Sequence, residues 1–158
     1  MHDLVVRDTC ATDEVEGGQV AARSERTFSF RDCRHERRVP FFNPASNTRQ
    51  VSSLRLVNRG ESDAAITIFG VDDEGAERGP ATLSLSAGTA RTLTSLALES
   101  GDGEGLAGAL GDGTGKWELR IFVAGEAAGY VMVMNLLESP TGHLTNLSTW
   151  PAVELRLE

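Results

Sequence analysis

The stretch Lys116-Trp-Glu-Leu-Arg-Ile-Phe-Val-Ala-Gly-Glu-Ala-Ala-Gly-Tyr-Val-Met-Val-Met-Asn-Leu-Leu137 decides the fold class. Trp117, Leu119, Ile121 and Val123 alternate with Glu118, Arg120 and Phe122, the period-two pattern of a strand with one buried face. After the loop Ala124–Gly129, the run from Tyr130 to Leu137 is apolar on both faces. Such a strand needs cover on both sides and belongs inside a sandwich or barrel. The two runs read as one long buried hairpin, against which the other strands must pack or pair.

Outward from this centre, the remaining chain divides into short strand candidates. Val51–Asn58 places Leu54 and Leu56 on one face and Val51 with Val57 on the other; Ala64–Val71 turns Ile66 and Ile68 inward. Asn58–Asp63 and Asp72-Asp-Glu-Gly75 are turns. Ala81–Ser86 and Ala90–Ser95 flank Ala87-Gly88, which suits a hairpin or a switch between sheets. Leu96–Glu99 fits one helical turn before the glycine-rich stretch Gly101–Gly115, and His143–Ser148 fits a last strand. Val39–Pro44, with two prolines, suits an edge or an entry loop. Upstream, Leu4–Arg7 and Thr27–Phe30 are further short strands, with Phe28 and Phe30 on one face. The class is all-β: an antiparallel β-sandwich, immunoglobulin-like or jelly-roll-like, of eight or nine short strands with little helix.

At 158 residues the chain reads as a single domain. Residues 1–38 form N-terminal strands or an arm carrying both cysteines, and 39–150 form the core. Leu157-Glu158 is a dipeptide that a cloning site leaves before a purification tag, so the reading is of a piece of a longer protein. Apolar content of 40% and charged content of 24% are those of a globular chain. A net charge of −8 disfavours nucleic acid and anionic membrane as partners, because neither offers a counter-charge. No apolar run is long enough to span a bilayer as a helix. The basic cluster Arg31, Arg34, Arg37 and Arg38 suggests an anion site, but interleaved Asp32 and Glu36 make it a salt-bridged strand or turn.

Several elements together carry a resemblance: Leu54-Arg-Leu-Val-Asn, Val71-Asp-Asp-Glu-Gly, Gly79-Pro-Ala-Thr-Leu-Ser-Leu and Ala87-Gly, with Gly111-Asp-Gly-Thr-Gly-Lys-Trp and Ser139-Pro-Thr-Gly-His-Leu-Thr-Asn-Leu-Ser148. This frame, residues 39 to 150, resembles a module of large exported bacterial proteins that recurs beside protease, adhesion and repeat domains without an assigned activity. The resemblance implies an exported β-sandwich that accompanies other domains. It assigns no functional residues.

Four constellations carry possible chemistry. Asp102 and Glu104, or Asp112 with Thr114, lie in glycine-rich loops able to offer oxygens to calcium, and Asp72–Glu74 is a second acidic turn. These loops lack EF-hand spacing, and Asp-Gly pairs also serve as plain turns. Cys10, Cys33, His35 and His2 make a zinc set on paper, yet without the paired-knuckle spacing; a Cys10–Cys33 disulfide, at home in an oxidising compartment, is the better reading. His143 is the histidine considered for a hydrolase triad, against a plain turn role after Pro140–Gly142. Glycan stacking needs exposed rings, and of two Trp, one Tyr and six Phe only Trp150 reads as exposed: Trp117, Phe122 and Tyr130 fall on core strands. Asn146-Leu-Ser148 fits a glycosylation acceptor in a eukaryotic secretory route. The expectation is a non-enzymatic interaction or spacer module of an extracellular or periplasmic protein, needing no cofactor and partnered by its neighbouring domains. A glycan-binding module is the alternative and a hydrolase the third reading.

Overall fold

The computed structural model describes residues 35–101 and 105–148. The expected strands Leu4–Arg7 and Thr27–Phe30, both cysteines, His2, Asp102, Glu104 and Trp150 lie outside the described residues.

Among the described residues, nine strands form two antiparallel sheets. Sheet A has the order β1(His35–Phe42), β7(Trp117–Ala124), β3(Ala64–Val71), β4(Glu77–Leu85), β6(Leu106–Ala107). Sheet B has the order β5(Ala90–Thr94), β2(Val51–Asn58), β8(Val131–Glu138), β9(Leu144–Asn146). Alternation sets the faces. On β7, Trp117, Leu119, Ile121 and Val123 are all buried, and on β3 Ala64, Ile66 and Ile68 meet them from the neighbouring strand. Leu54 and Leu56 of sheet B complete the core, together with Leu83, Leu85, Leu93 and Leu98.

The long hairpin is not formed. β7 pairs with β1 and β3 in one sheet, while β8 pairs with β2 and β9 in the other. The connection between them changes sheets through a 3-10 turn, Ala128–Tyr130, with Ala127 and Ala128 buried beneath it. Small side chains permit that passage: a Cβ added to Gly60 would lie 3.0 Å from the Ala127 methyl. Each half of the stretch is instead an interior strand of its own sheet, so both still organise the fold. Ala87-Gly88 resolves the same way, carrying the chain from β4 in sheet A to β5 in sheet B.

Cover on both faces of β8 is also not what the described residues provide. Val131 is buried, but Val133, expected in the core, is only partly so and packs at its margin. Met132, Met134 and Leu136 point outward and remain half-buried beside Val57, Arg55 and Ser53 of β2.

The short helix α1(Ser95–Ser100) follows directly from β5. Thr94 caps it, its hydroxyl accepting the Ala97 N–H at 3.2 Å, and Gly101 ends it with a left-handed φ of 76°. Leu98 from this helix is fully buried. Between β3 and β4, register slips at Phe69, opposite which β4 places Gly79 and Pro80. That bulge reaims β4 before its buried half, Ala81, Leu83 and Leu85.

Candidate functional site

Among the described residues, side chains able to do chemistry concentrate at two places, the loops around Trp117 and the outer face of sheet A. The first begins with Asp72, which is 5% exposed. Its Oδ1 accepts the N–H groups of Glu74 at 3.1 Å and Ala76 at 2.9 Å, closing the β3–β4 turn. Its Oδ2 accepts the Thr114 N–H at 3.3 Å, with the Arg78 guanidinium at 3.9 Å. Asp73 takes hold of the same loop: its N–H donates to the Thr114 carbonyl at 2.9 Å and its Oδ2 accepts the Lys116 N–H at 3.0 Å. Two adjacent carboxylates thereby bind the glycine-rich stretch to a turn more than forty residues earlier.

The Ala76 N–H does most to hold the Asp72 carboxyl below its ordinary pKa. Burial opposes that shift, while the Thr114 and Glu74 N–H groups and the Arg78 charge reinforce it.

Glu99 does comparable work at the end of α1. Its Oε1 accepts the Trp117 indole N–H at 2.8 Å and the Ala45 N–H at 3.0 Å. The indole is boxed in on its other sides. A Cβ on Gly70 would lie 2.8 Å from Trp117 Cε3, and one on Gly113 would overlap the six-membered ring. Glycine is required at these positions because the backbone itself lies against the indole.

On the outer face of sheet A, Arg120 joins Glu77 at 2.8 Å and Glu36 at 3.3 Å, and Arg38 joins Glu36 at 2.9 Å and Glu118 at 3.6 Å. The described part of the basic cluster is thus a salt-bridged edge strand. Phe122, on a core strand but alternating with its buried set, lies on this outer face, edge-to-face with Phe69 at 5.9 Å and 83°. Phe122 faces outward because it alternates with Ile121 and Val123, both fully buried.

These positions answer the sequence-level candidates individually. Asp112 is exposed in its loop, and the acidic turn Asp72–Glu74 directs carboxylate oxygens at backbone N–H groups. Among the described residues no group of three His, Cys, Asp or Glu is placed to hold a metal ion. If backbone turns and these carboxylates suffice to hold Gly101–Gly115, the thermal midpoint in excess chelator should equal that in millimolar calcium. A rise of several degrees with calcium would mean that the native state binds it.

His143 is exposed, and its N–H donates to Ser139 Oγ at 3.2 Å while its carbonyl accepts the Ser139 N–H at 2.9 Å. The pair closes the turn between β8 and β9. Tyr130 is 62% exposed in the sheet-changing turn rather than on a core strand. Phe41 is 37% exposed, with the Lys116 ammonium 3.9 Å from its ring centre.

The sequence offered no clear sign of the hydrogen-bonding roles of Asp72, Asp73 and Glu99. The one available signal was an Asp followed by Glu and Gly in a turn, which an Asx-type bond to the backbone explains. Among the described residues no helix is long and apolar enough to cross a membrane. Compared with family models, curated proteins and solved structures, the chain has no match.

Proposed function

We propose that the chain is a non-enzymatic interaction or spacer module of a larger exported protein. The outward face of β8 carries this reading: Met132, Met134 and Leu136 are half-buried there, and Val51 at 37% exposed and Leu144 at 56% exposed lie on the flanking strands to either side of Glu138. The solvent face of an antiparallel sheet ordinarily alternates to polar residues. A strip of methionine and branched aliphatics is instead suited to packing against another protein surface, since methionine adapts its shape to its partner. The occupant in this reading is a neighbouring domain of the same polypeptide.

The alternative, glycan binding, rests on Tyr130 alone among well-exposed described rings. The Phe69–Phe122 pair meets edge-to-face, and Lys116 lies over Phe41, so neither offers a free flat platform for a sugar ring.

The test is to follow the native product with an antibody to this domain and map peroxide oxidation of its methionines. The domain should appear outside the cytoplasm within a polypeptide longer than 158 residues. There, Met132 and Met134 should oxidise several-fold more slowly than in the isolated domain, because burial limits access to the thioether. A free cytoplasmic product would overturn export, and equal oxidation rates would overturn the packed face.

A further inference from the structure

Asn43 and Asn135 are buried, 1% and 3% exposed, and the side-chain oxygen of each lacks a hydrogen-bond partner. The nitrogens fix which way both amides face. Asn43 Nδ2 donates to the Gln50 carbonyl at 3.0 Å, and Asn135 Nδ2 donates to the Phe41 carbonyl at 2.6 Å. Turning either amide over would set its oxygen against a carbonyl, acceptor facing acceptor. Both oxygens are therefore genuine acceptors, and a bare acceptor inside a protein is costly.

The two oxygens belong to one corner of the sandwich. There the chain leaves β1 at Phe42 and crosses from sheet A to β2 of sheet B. Asn43 begins the crossing, and its N–H donates to Ser52 Oγ at 3.0 Å. Ser52 is fully buried on the inner face of β2, opposite Leu137 of β8. Asn135 is its diagonal neighbour on β8, a relation that separates two residues by about 7–8 Å. Asn135 also reaches back to Phe41, two residues before Asn43. Ser52 brings a complementary need. Its oxygen accepts the Asn43 N–H, while its hydroxyl proton has no acceptor among the described residues.

We propose that Asn43 Oδ1, Asn135 Oδ1 and Ser52 Oγ together bind one internal water molecule. The water donates one hydrogen to each amide oxygen and accepts the Ser52 hydroxyl proton. That makes about three hydrogen bonds, the usual number for a water inside a protein. The groups suit water better than a metal ion. A hard cation such as calcium takes about six to eight oxygens, carboxylates among them. This corner supplies two neutral amides and a hydroxyl, and no metal-holding group of His, Cys, Asp or Glu exists among the described residues. Beside the direct Asn135–Phe41 bond, the water forms a second tie between the crossing segment and β8.

A crystal structure of the full chain, at a resolution that orders solvent, tests this. One isolated density peak should lie about 2.7–3.2 Å from both amide oxygens, with Ser52 Oγ as its third neighbour. In Asn43→Leu, which removes one acceptor and keeps a similar volume, no peak should remain beside Asn135 Oδ1. If that variant does not fold, the wild-type density decides alone. The proposal is overturned if no density joins the two oxygens, if separate peaks serve them, or if the peak beside Asn135 persists in the variant. A peak ringed by six or more oxygens at about 2.3–2.6 Å would be a metal cation and would also overturn it.

Discussion

Ile121→Ala should lower the free energy of unfolding by about 2–5 kcal/mol, the range for emptying a large aliphatic site in a core that cannot collapse around it. Ile121 is fully buried and paired on both sides, with Arg37 of β1 and Ile68 of β3. Its strand is interior to sheet A, so hydrogen bonds on both edges hold the backbone against moving inward to fill the space. Leu119→Ala should behave alike, since Leu119 is equally buried and paired with Val39 and Gly70. Phe122→Ala, on the same strand but facing outward, should cost less than either. Urea titrations at constant m-value provide the measurement. A cost below about 0.5 kcal/mol at Ile121, outside the range for a buried aliphatic, would reverse the assignment of faces along β7.

Acid should loosen the protein through Asp72. Its carboxyl is held below the ordinary value in the folded chain, so the unfolded chain binds that proton more readily. The stabilisation is therefore complete above the unfolded pKa of about 3.9 and is lost as pH falls through the lower folded value. Asp72→Asn removes the titrating group and sets an amide N–H₂ against a backbone donor. At neutral pH its thermal midpoint should fall by several degrees. Below about pH 4 its stability should decline less steeply than that of the wild type, by up to one proton's worth of slope. Equal slopes would show that Asp72 does not link acid to unfolding. The Thr114 and Lys116 amides should exchange faster in the variant, because the carboxylate clamp holds the glycine-rich stretch to the β3–β4 turn.

Apolar alternation determined which residues of β2, β3 and β7 are buried. Leu54, Leu56, Ile66, Ile68, Leu119 and Ile121 are in the core for the reason visible in the chain: side chains alternate across a strand and only one face is dry. The turn of helix at Leu96–Glu99 before the glycines was legible too, whereas its caps, Thr94 and Gly101, emerged from the structure. Pairing was not. A loop from Ala124 to Gly129 serves a hairpin or a change of sheet equally well, and alternation specifies the face a strand buries without specifying its neighbour. Only packing of both sheets around Trp117 and Ile121 placed β7 and β8 in different layers. The tertiary structure also decided the outward face of β8, because Met132 and Met134 are apolar enough for either side and the covering layer is set by distant chain. Asp72, Asp73 and Glu99 acquire their roles in the same way. Their partners at Thr114, Lys116 and Trp117 lie far along the chain, and a hydrogen bond between remote segments leaves no periodic trace in either.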